Sequence, residues 1–163
     1  MGFQLASPGK LICQEADIGV PEEMPEHRLP HSATSVVRAR RLAEEAADFR
    51  VPAAQKDDFV LMVSEAVSNA VLHARPMADG RIGVSFENHD GALRGVVTDG
   101  GSWSSASGGG SWSAAEAERA AGAGARMHHY GLSIIDTLSS RWGVSVDGVT
   151  NVWFEVDARA GRT

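Results

Sequence analysis

Cysteine is nearly absent from this chain: Cys13 is the only one among 163 residues. A single cysteine cannot form an internal disulfide, and it has no partner for a cysteine-based metal site. No apolar run approaches the roughly 18 residues that a membrane-spanning helix needs. Residues 1–10 also lack the apolar centre of a secretory signal. We therefore expect a protein of a reducing compartment, the cytoplasm, with no membrane partner.

An excess of positive charge is also lacking. The chain has 15 Lys and Arg against 21 Asp and Glu, a formal net charge of −6. This balance gives no general electrostatic argument for binding nucleic acid or an anionic membrane. The apolar fraction of 43% and the charged fraction of 22% are ordinary for a globular protein. A chain of this length fits one domain with a proper core, and we expect no direct nucleic-acid partner.

The pattern of apolar and turn residues divides the chain into secondary-structure elements. Apolar periodicity predicts three helices, at residues 32–49, 52–74 and 131–138. Alternating patterns and Asp-Gly turns predict two hairpins, 81–88 with 93–98 and 142–146 with 152–156. Residues 1–30 are expected to be an irregular arm with a short strand possible at 27–29, and 158–163 a tail. Residues 102–129 form a Gly-, Ser- and Ala-rich loop with a short helix possible at 114–121.

The order of these elements indicates the fold class. Hairpins imply antiparallel strand pairing, and helices that all cover one face of such a sheet make two layers. We therefore predict an α+β two-layer sandwich, with a mostly antiparallel sheet and the helices on one face, over residues 31–157.

The second predicted helix carries polar residues inside a largely apolar segment. Glu65 and Asn69 are four residues apart on one face, and His73 lies one turn further along the same side. One interpretation is that they emerge at a solvated helix edge. The other is that they line a cleft, where the Asn69 amide oxygen binds Mg²⁺ and Glu65 acts as a general base. Helix geometry alone leaves both interpretations open.

Two further motifs are each weak alone. Residues 99–101 (Asp-Gly-Gly) either form an ordinary turn or let Asp99 accept a hydrogen bond from the exocyclic amine of adenine, beside the bare Gly101. Gly131 precedes a predicted helix, whose first N–H groups can bind phosphate. No Gly-Lys-Ser/Thr follows, so this segment is not a Walker A loop.

In this order, the three segments resemble the nucleotide-binding boxes of the GHKL (histidine-kinase-like) ATPases. Residues 63–74 resemble the N box, residues 97–101 the adenine box, and residues 131–144 the phosphate-side box with its following strand. The chain is most similar to the anti-sigma-factor serine/threonine kinases, in the short stand-alone form found in actinobacteria. The resemblance covers about residues 31–157 and implies a Bergerat-type ATP-binding fold.

The resemblance implies a site for ATP and Mg²⁺. Asn69 would hold Mg²⁺, Glu65 would be the catalytic base, and Asp99 would bind adenine. The remaining cofactor-binding candidates are His73, Gly101, Gly131, Leu132 and Asn151. Asn151, or Thr150 beside it, falls where family members often place a threonine near the adenine, and residues 102–129 would be the lid over the phosphates.

The resemblance also implies a function. Kinases of this branch are homodimers that phosphorylate an antagonist protein and sequester a sigma factor. One departure from the family pattern is His129, which replaces the first glycine of the motif that closes the lid. This departure favours an alternative, a nucleotide-gated or catalytically decayed binding module with no phosphotransfer. The helix face with Arg38, Arg40 and Arg41 is either solvated or a docking face for a partner.

Overall fold

The computed structural model of the chain describes residues 25–48, 50–101, 110–112 and 129–158. In chain order the elements are β1 (His27–Pro30), α1 (Thr34–Ala47), α2 (Ala53–His73), β2 (Arg81–His89), β3 (Ala92–Asp99), β4 (Gly110–Trp112), α3 (His129–Leu138), β5 (Arg141–Asp147) and β6 (Val149–Asp157). The possible helix at 114–121 lies outside the described residues, as does most of the predicted lid.

The strands form one sheet of six in the order β1-β2-β3-β6-β5-β4. Every pairing in it is antiparallel. The helices α1, α2 and α3 pack on this sheet and on one another. The predicted α+β class, an antiparallel sheet covered by helices, is therefore confirmed.

One edge strand was anticipated and the other was not. β1 confirms the short strand that was considered possible at 27–29, and it pairs with β2, so the sheet begins before residue 31. Residues 110–112, predicted as part of an irregular lid, form β4 and pair with β5. A sheet edge offers unpaired N–H and C=O groups, so a segment with little strand pattern can still gain hydrogen bonds there.

The turn between β2 and β3 follows the sequence signal. Asp90 and Gly91 have φ angles of 50° and 80°, and His89 pairs with Ala92 on either side of them. Two consecutive positive φ angles are typical of a type I′ turn, which Asp-Gly favours. The turn fixes the register of the whole hairpin and thereby the position of Asp99 at the end of β3.

Three phenylalanines join α2 to the middle of the sheet. The ring of Phe59 on α2 lies 5.8 Å from the ring of Phe86 and 5.8 Å from that of Phe154, measured between centroids. All three side chains are fully buried. A Cβ added at Gly95 would lie 2.8 Å from the Phe154 ring, so glycine on β3 makes room for this cluster. Tilted aromatic packing of this kind fixes the height and rotation of α2 over the sheet.

A buried carboxylate lies on the other face of the sheet. Glu155 on β6 is 0% exposed. Its two oxygens accept hydrogen bonds at 2.7 Å from Arg94 on β3 and at 2.7 Å from Arg141 on β5. The Arg94 guanidinium also lies 4.6 Å from the centre of the Trp153 ring. These contacts connect three adjacent strands on the face that is opposite to the core.

Removal of the Glu155 carboxylate is expected to destabilise the fold strongly. Glu155→Ala leaves Arg94 without its buried partner, and breaking a buried ion pair in this way typically costs about 3–5 kcal/mol. Urea unfolding measures the loss. The matched control is Asp48→Ala, which breaks an ion pair with Lys56 at the surface and should lower the unfolding free energy far less. Equal losses in the two variants would contradict a structural role for the Glu155 cluster.

Candidate nucleotide-binding site

The end of α2 meets the end of β3 through direct backbone contact. The Gly100 amide donates a hydrogen bond to the Arg75 carbonyl oxygen at 2.8 Å. A Cβ added at Gly100 would lie only 2.1 Å from the Pro76 carbonyl oxygen. No side chain fits between the two segments, which explains the first glycine after Asp99. The contact also brings Asp99 close to the helix that carries Glu65 and Asn69.

Asp99 is a buried carboxylate that accepts a hydrogen bond from the backbone just after it. Its side chain is 5% exposed, and Oδ1 accepts one hydrogen bond, from the Gly101 amide at 2.7 Å. Burial raises the pKa of Asp99 to about 6, and the Gly101 amide and the nearby His31 lower it in part. At neutral pH the group is therefore a mostly ionised acceptor, which is the form that can bind an amino group.

Thr150 lies directly opposite Asp99. The two residues pair across β3 and β6, and Thr150 is 1% exposed. Its Oγ1 is buried and has no hydrogen-bond partner within the described part of the chain. A Cβ at Gly101 would lie 3.5 Å from this oxygen. A buried hydroxyl without a partner needs an explanation, and a ligand or water between Asp99 and Thr150 would supply one.

Asn151 lies apart from Asp99. Its side-chain oxygen accepts a hydrogen bond from Thr98 Oγ1 at 2.7 Å. Thr98 and Asn151 are a cross-strand pair, next to the pair of Asp99 and Thr150 along the two strands. Neighbouring pairs point to opposite faces, so Thr98 and Asn151 lie on the other face of the sheet. The structure thus places Thr150, rather than Asn151, beside the adenine candidate. The alternation of side chains along β6 could have indicated this, because residue 150 lies on the same face of the strand as the core residues Val152 and Phe154.

Glu65, Asn69 and His73 are half-buried on one flank of α2. Ser64 marks the opposite flank, because it accepts a hydrogen bond from Arg40 of α1 at 3.0 Å. At 3.6 residues per turn, Glu65, Asn69 and His73 lie about 100°, 140° and 180° around the helix axis from Ser64. The polar flank therefore faces away from α1. Glu65 and Asn69 are separated by about 6 Å along the axis, and Asn69 lies nearer the Asp99 end of the helix.

α3 is positioned by contacts at both ends. Leu132 and Ile135 are buried in the core, and Trp142 Nε1 on β5 donates to Asp136 Oδ1 at 2.8 Å. The helix begins at His129, two residues before the predicted start. Gly131 and Leu132 still lie in the first turn, whose N–H groups have no acceptor within the helix and can bind an anion.

The residues at this junction fit an adenine nucleotide with Mg²⁺. For a bound adenine, Asp99 would be the fixed acceptor, Thr150 would offer a hydroxyl that has no partner among the described residues, and Gly101 would offer a surface without a side chain. The described ranges contain no group of three or more His, Cys, Asp or Glu that could hold a metal ion. A single amide oxygen such as that of Asn69 is nevertheless a suitable Mg²⁺ ligand, because phosphate oxygens and water usually complete the coordination.

Comparison with known proteins agrees with this geometry. Residues 29–155 match the model of the histidine kinase-like ATPase domain, and the chain belongs to this family. The match spans most of the chain and supports the GHKL fold, which implies ATP binding, typically with Mg²⁺. A search of curated proteins found no match. Among the described residues no helix is both long and apolar enough to cross a bilayer.

The buried carboxyl of Asp99 predicts a specific pH dependence of stability. Its pKa is about 6 in the folded chain against an ordinary value of 3.8, so the folded state binds the proton more tightly than the unfolded state. The stabilisation from this proton is complete below pH ~4 and is lost as the pH rises through 6, a change of about 3 kcal/mol at most. Asp99→Asn should remove this loss and be more stable than wild type at pH 7.

Urea unfolding of wild type and Asp99→Asn between pH 4 and 7 measures the effect. The matched control is Asp57→Asn, which alters an exposed carboxyl on α2 and should keep the wild-type pH profile. Parallel profiles for wild type and Asp99→Asn would show that burial of Asp99 does not raise its pKa.

Proposed function

We propose that this chain is an ATP-dependent serine/threonine protein kinase and anti-sigma factor, which phosphorylates an antagonist protein and regulates transcription by partner switching. The observation that carries the proposal is the pair Glu65 and Asn69. They lie one turn apart on the flank of α2 that faces away from α1, and the chain just beyond this helix contacts Gly100, the residue that follows the buried Asp99. This connection supports a single site in which Glu65 is the base, Asn69 the Mg²⁺ ligand and Asp99 the adenine-binding acceptor.

Each residue of the site has a distinct proposed role. Bound ATP supplies the phosphoryl group that is transferred. Asp99 and Thr150 hold the base, and the Asn69 amide oxygen holds Mg²⁺. Glu65 accepts the proton that the substrate hydroxyl loses. In phosphoryl transfer most of the catalysis comes from positioning and charge neutralisation, which suits a site built on a helix that the core holds rigidly.

The proposed partners are a sigma factor and an antagonist protein, and the proposed assembly is a homodimer in the cytoplasm, where ATP is available. A basic face on α1 supports a protein partner. Arg38 and Arg41 are exposed there, and the adjacent Val37 is 58% exposed; Arg40, also exposed, instead donates to Ser64 of α2. Basic and apolar groups side by side are typical of protein interfaces more than of a purely solvated helix face.

A second candidate function is a nucleotide-gated binding module that transfers no phosphate. The observation that favours it is the start of α3 at His129, where family members have a glycine. Close approach of backbone to phosphate is easiest without a side chain. A histidine at this position weakens the argument for tight phosphate binding, while the adenine side on β3 and β6 is unaffected.

Mg-ATP is expected to raise the melting temperature of the protein. At a concentration 100-fold above Kd, linkage stabilises the fold by about 2.7 kcal/mol, which is on the order of 5–10 °C for a chain of this size. Asp99→Asn should lose most of the shift, because a neutral amide presents a poorer acceptor to the adenine amine. Asp57→Asn is the matched control and should keep the shift. A wild-type melt unchanged by millimolar Mg-ATP would count against a working pocket.

Phosphate transfer is the test that separates the two candidate functions. The assay combines labelled ATP, the purified chain and the antagonist protein captured from the native cell. Glu65→Gln should slow transfer by about 10²- to 10⁴-fold, the range for loss of a general base, and should retain the Mg-ATP melting shift. Asp57→Asn, a carboxylate change two turns earlier on α2, should transfer at the wild-type rate. Wild type that binds Mg-ATP yet transfers no more than Glu65→Gln would support the binding module.

A further inference from the structure

His31 lies between β1 and α1 and contacts the far end of α2. Its Nε2 is 3.0 Å from the Ala70 carbonyl oxygen and 3.0 Å from the Ala74 carbonyl oxygen. Carbonyl oxygens only accept hydrogen bonds, so Nε2 must carry a proton and donate to this pair. The two carbonyl oxygens therefore require a proton on Nε2 of His31.

The corner that carries His31 is itself well fixed. Leu29 on β1 is fully buried, the Ser32 amide donates to the Pro30 carbonyl oxygen at 2.9 Å, and the Ser35 side chain donates to the same oxygen at 2.5 Å. These contacts join β1 to the first turn of α1. The imidazole therefore extends from a rigid part of the fold and is not a mobile surface group.

The last turn of α2 is the segment that His31 holds. The Ala70 carbonyl oxygen already accepts the Ala74 amide at 3.3 Å, so His31 is a second donor to it. The Ala74 carbonyl lies past the last helical residue, where a donor from outside the helix can replace the missing intrahelical partner. Ala70 directly follows Asn69, and Ala74 directly follows His73. The next residue, Arg75, accepts the hydrogen bond from Gly100 at 2.8 Å. His31 therefore contacts the backbone between the candidate Mg²⁺ ligand and the junction with β3.

His31 also acts on Asp99. The nearby imidazole is one of the influences that lower the pKa of the Asp99 carboxyl. The other titratable or charged residues near the contacted carbonyls are His73, on the same turn of α2, and Arg75, just beyond it. One imidazole thus links the α2 end of the site to the adenine-binding acceptor.

We propose that His31 is a positioning residue of the nucleotide site, which holds the last turn of α2, and with it Asn69, at a fixed position relative to Asp99. The inference rests on the proposed function for the identity of the ligand. It adds a residue that lies upstream of all three nucleotide-binding motifs and that no motif marks.

Two substitutions test the role. His31→Leu removes the donor, and His31→Gln retains an N–H group that can reach the same carbonyls. By calorimetry we expect His31→Leu to weaken Mg-ATP binding about tenfold, as for loss of a buried hydrogen bond, and His31→Gln to stay within about threefold of wild type. Ser32→Ala, at the neighbouring residue, is the matched control and should bind Mg-ATP as wild type does.

The pH profile of binding distinguishes positioning from general destabilisation. Wild type should lose Mg-ATP binding as the pH falls through about 6, where Asp99 becomes protonated. His31→Gln lacks the imidazole that lowers the pKa of Asp99, so its loss of binding should begin at a higher pH. A role confined to folding would reduce affinity equally at every pH.

Hydrogen exchange supplies a readout that does not depend on nucleotide. Amides of residues 70–75 and of Gly100 should exchange faster in His31→Leu than in His31→Gln. If wild type binds no Mg-ATP, the proposed function fails, and the role of His31 in binding fails with it. If wild type and His31→Leu bind Mg-ATP equally and exchange equally, only the role of His31 is refuted.

Discussion

Backbone contact between the end of β3 and the end of α2 is the constraint on which the site depends. Gly100 donates to the Arg75 carbonyl at 2.8 Å, with no space for a Cβ between the segments. Two backbones in contact cannot adjust through side-chain rotamers, so their separation is fixed more tightly than that of ordinary packed residues. Asp99 lies on one side of this contact and Asn69 on the other. The Phe59 cluster holds the same helix over the middle of the sheet.

Two carboxylates are buried in the part of the chain that the structure describes, and they differ in how fully they are paired. Glu155 has guanidinium partners from two neighbouring strands and connects the strands of the outer face. Asp99 accepts one amide hydrogen bond, and the hydroxyl of Thr150 opposite it has no partner within the described residues. A buried acceptor with so few donors lowers the stability of the ligand-free fold. Proteins tolerate such a deficit mainly where a ligand supplies the missing interactions.

Local patterns in the sequence predicted those parts of the fold that depend on local physics. The apolar run of α2 and the Asp90-Gly91 turn identified their elements within a few residues, because helix periodicity and turn chemistry are properties of short segments. The residues that the sequence analysis missed depend on distant contacts. β4 forms because β5 offers an open edge, and the contact of His31 with Ala70 joins residues 39 positions apart.

The position of Thr150 could be predicted from the sequence only in part. The alternation of side chains along β6 separates it from Asn151, because Thr150 shares a face with the core residues Val152 and Phe154. Only the register of β6 against β3, however, shows that its partner is Asp99. Residue type and spacing were enough to select Asp99 and Glu65 as candidates, but they could not predict how deeply each side chain is buried. The pKa of Asp99, raised to about 6, results from burial, which only the tertiary fold creates.

In the proposed site, base binding and phosphate transfer would rest on different elements of the fold. The proposed adenine side consists of Asp99 on β3 and Thr150 on β6, while the proposed phosphate side begins at the first turn of α3. Because His129 belongs only to the phosphate side, its presence there leaves the adenine side intact. A kinase and a nucleotide-gated module would therefore both require the buried Asp99, even though it lowers the stability of the ligand-free chain. A half-buried carboxylate at Glu65, one turn before Asn69, is needed only by a protein that transfers phosphate.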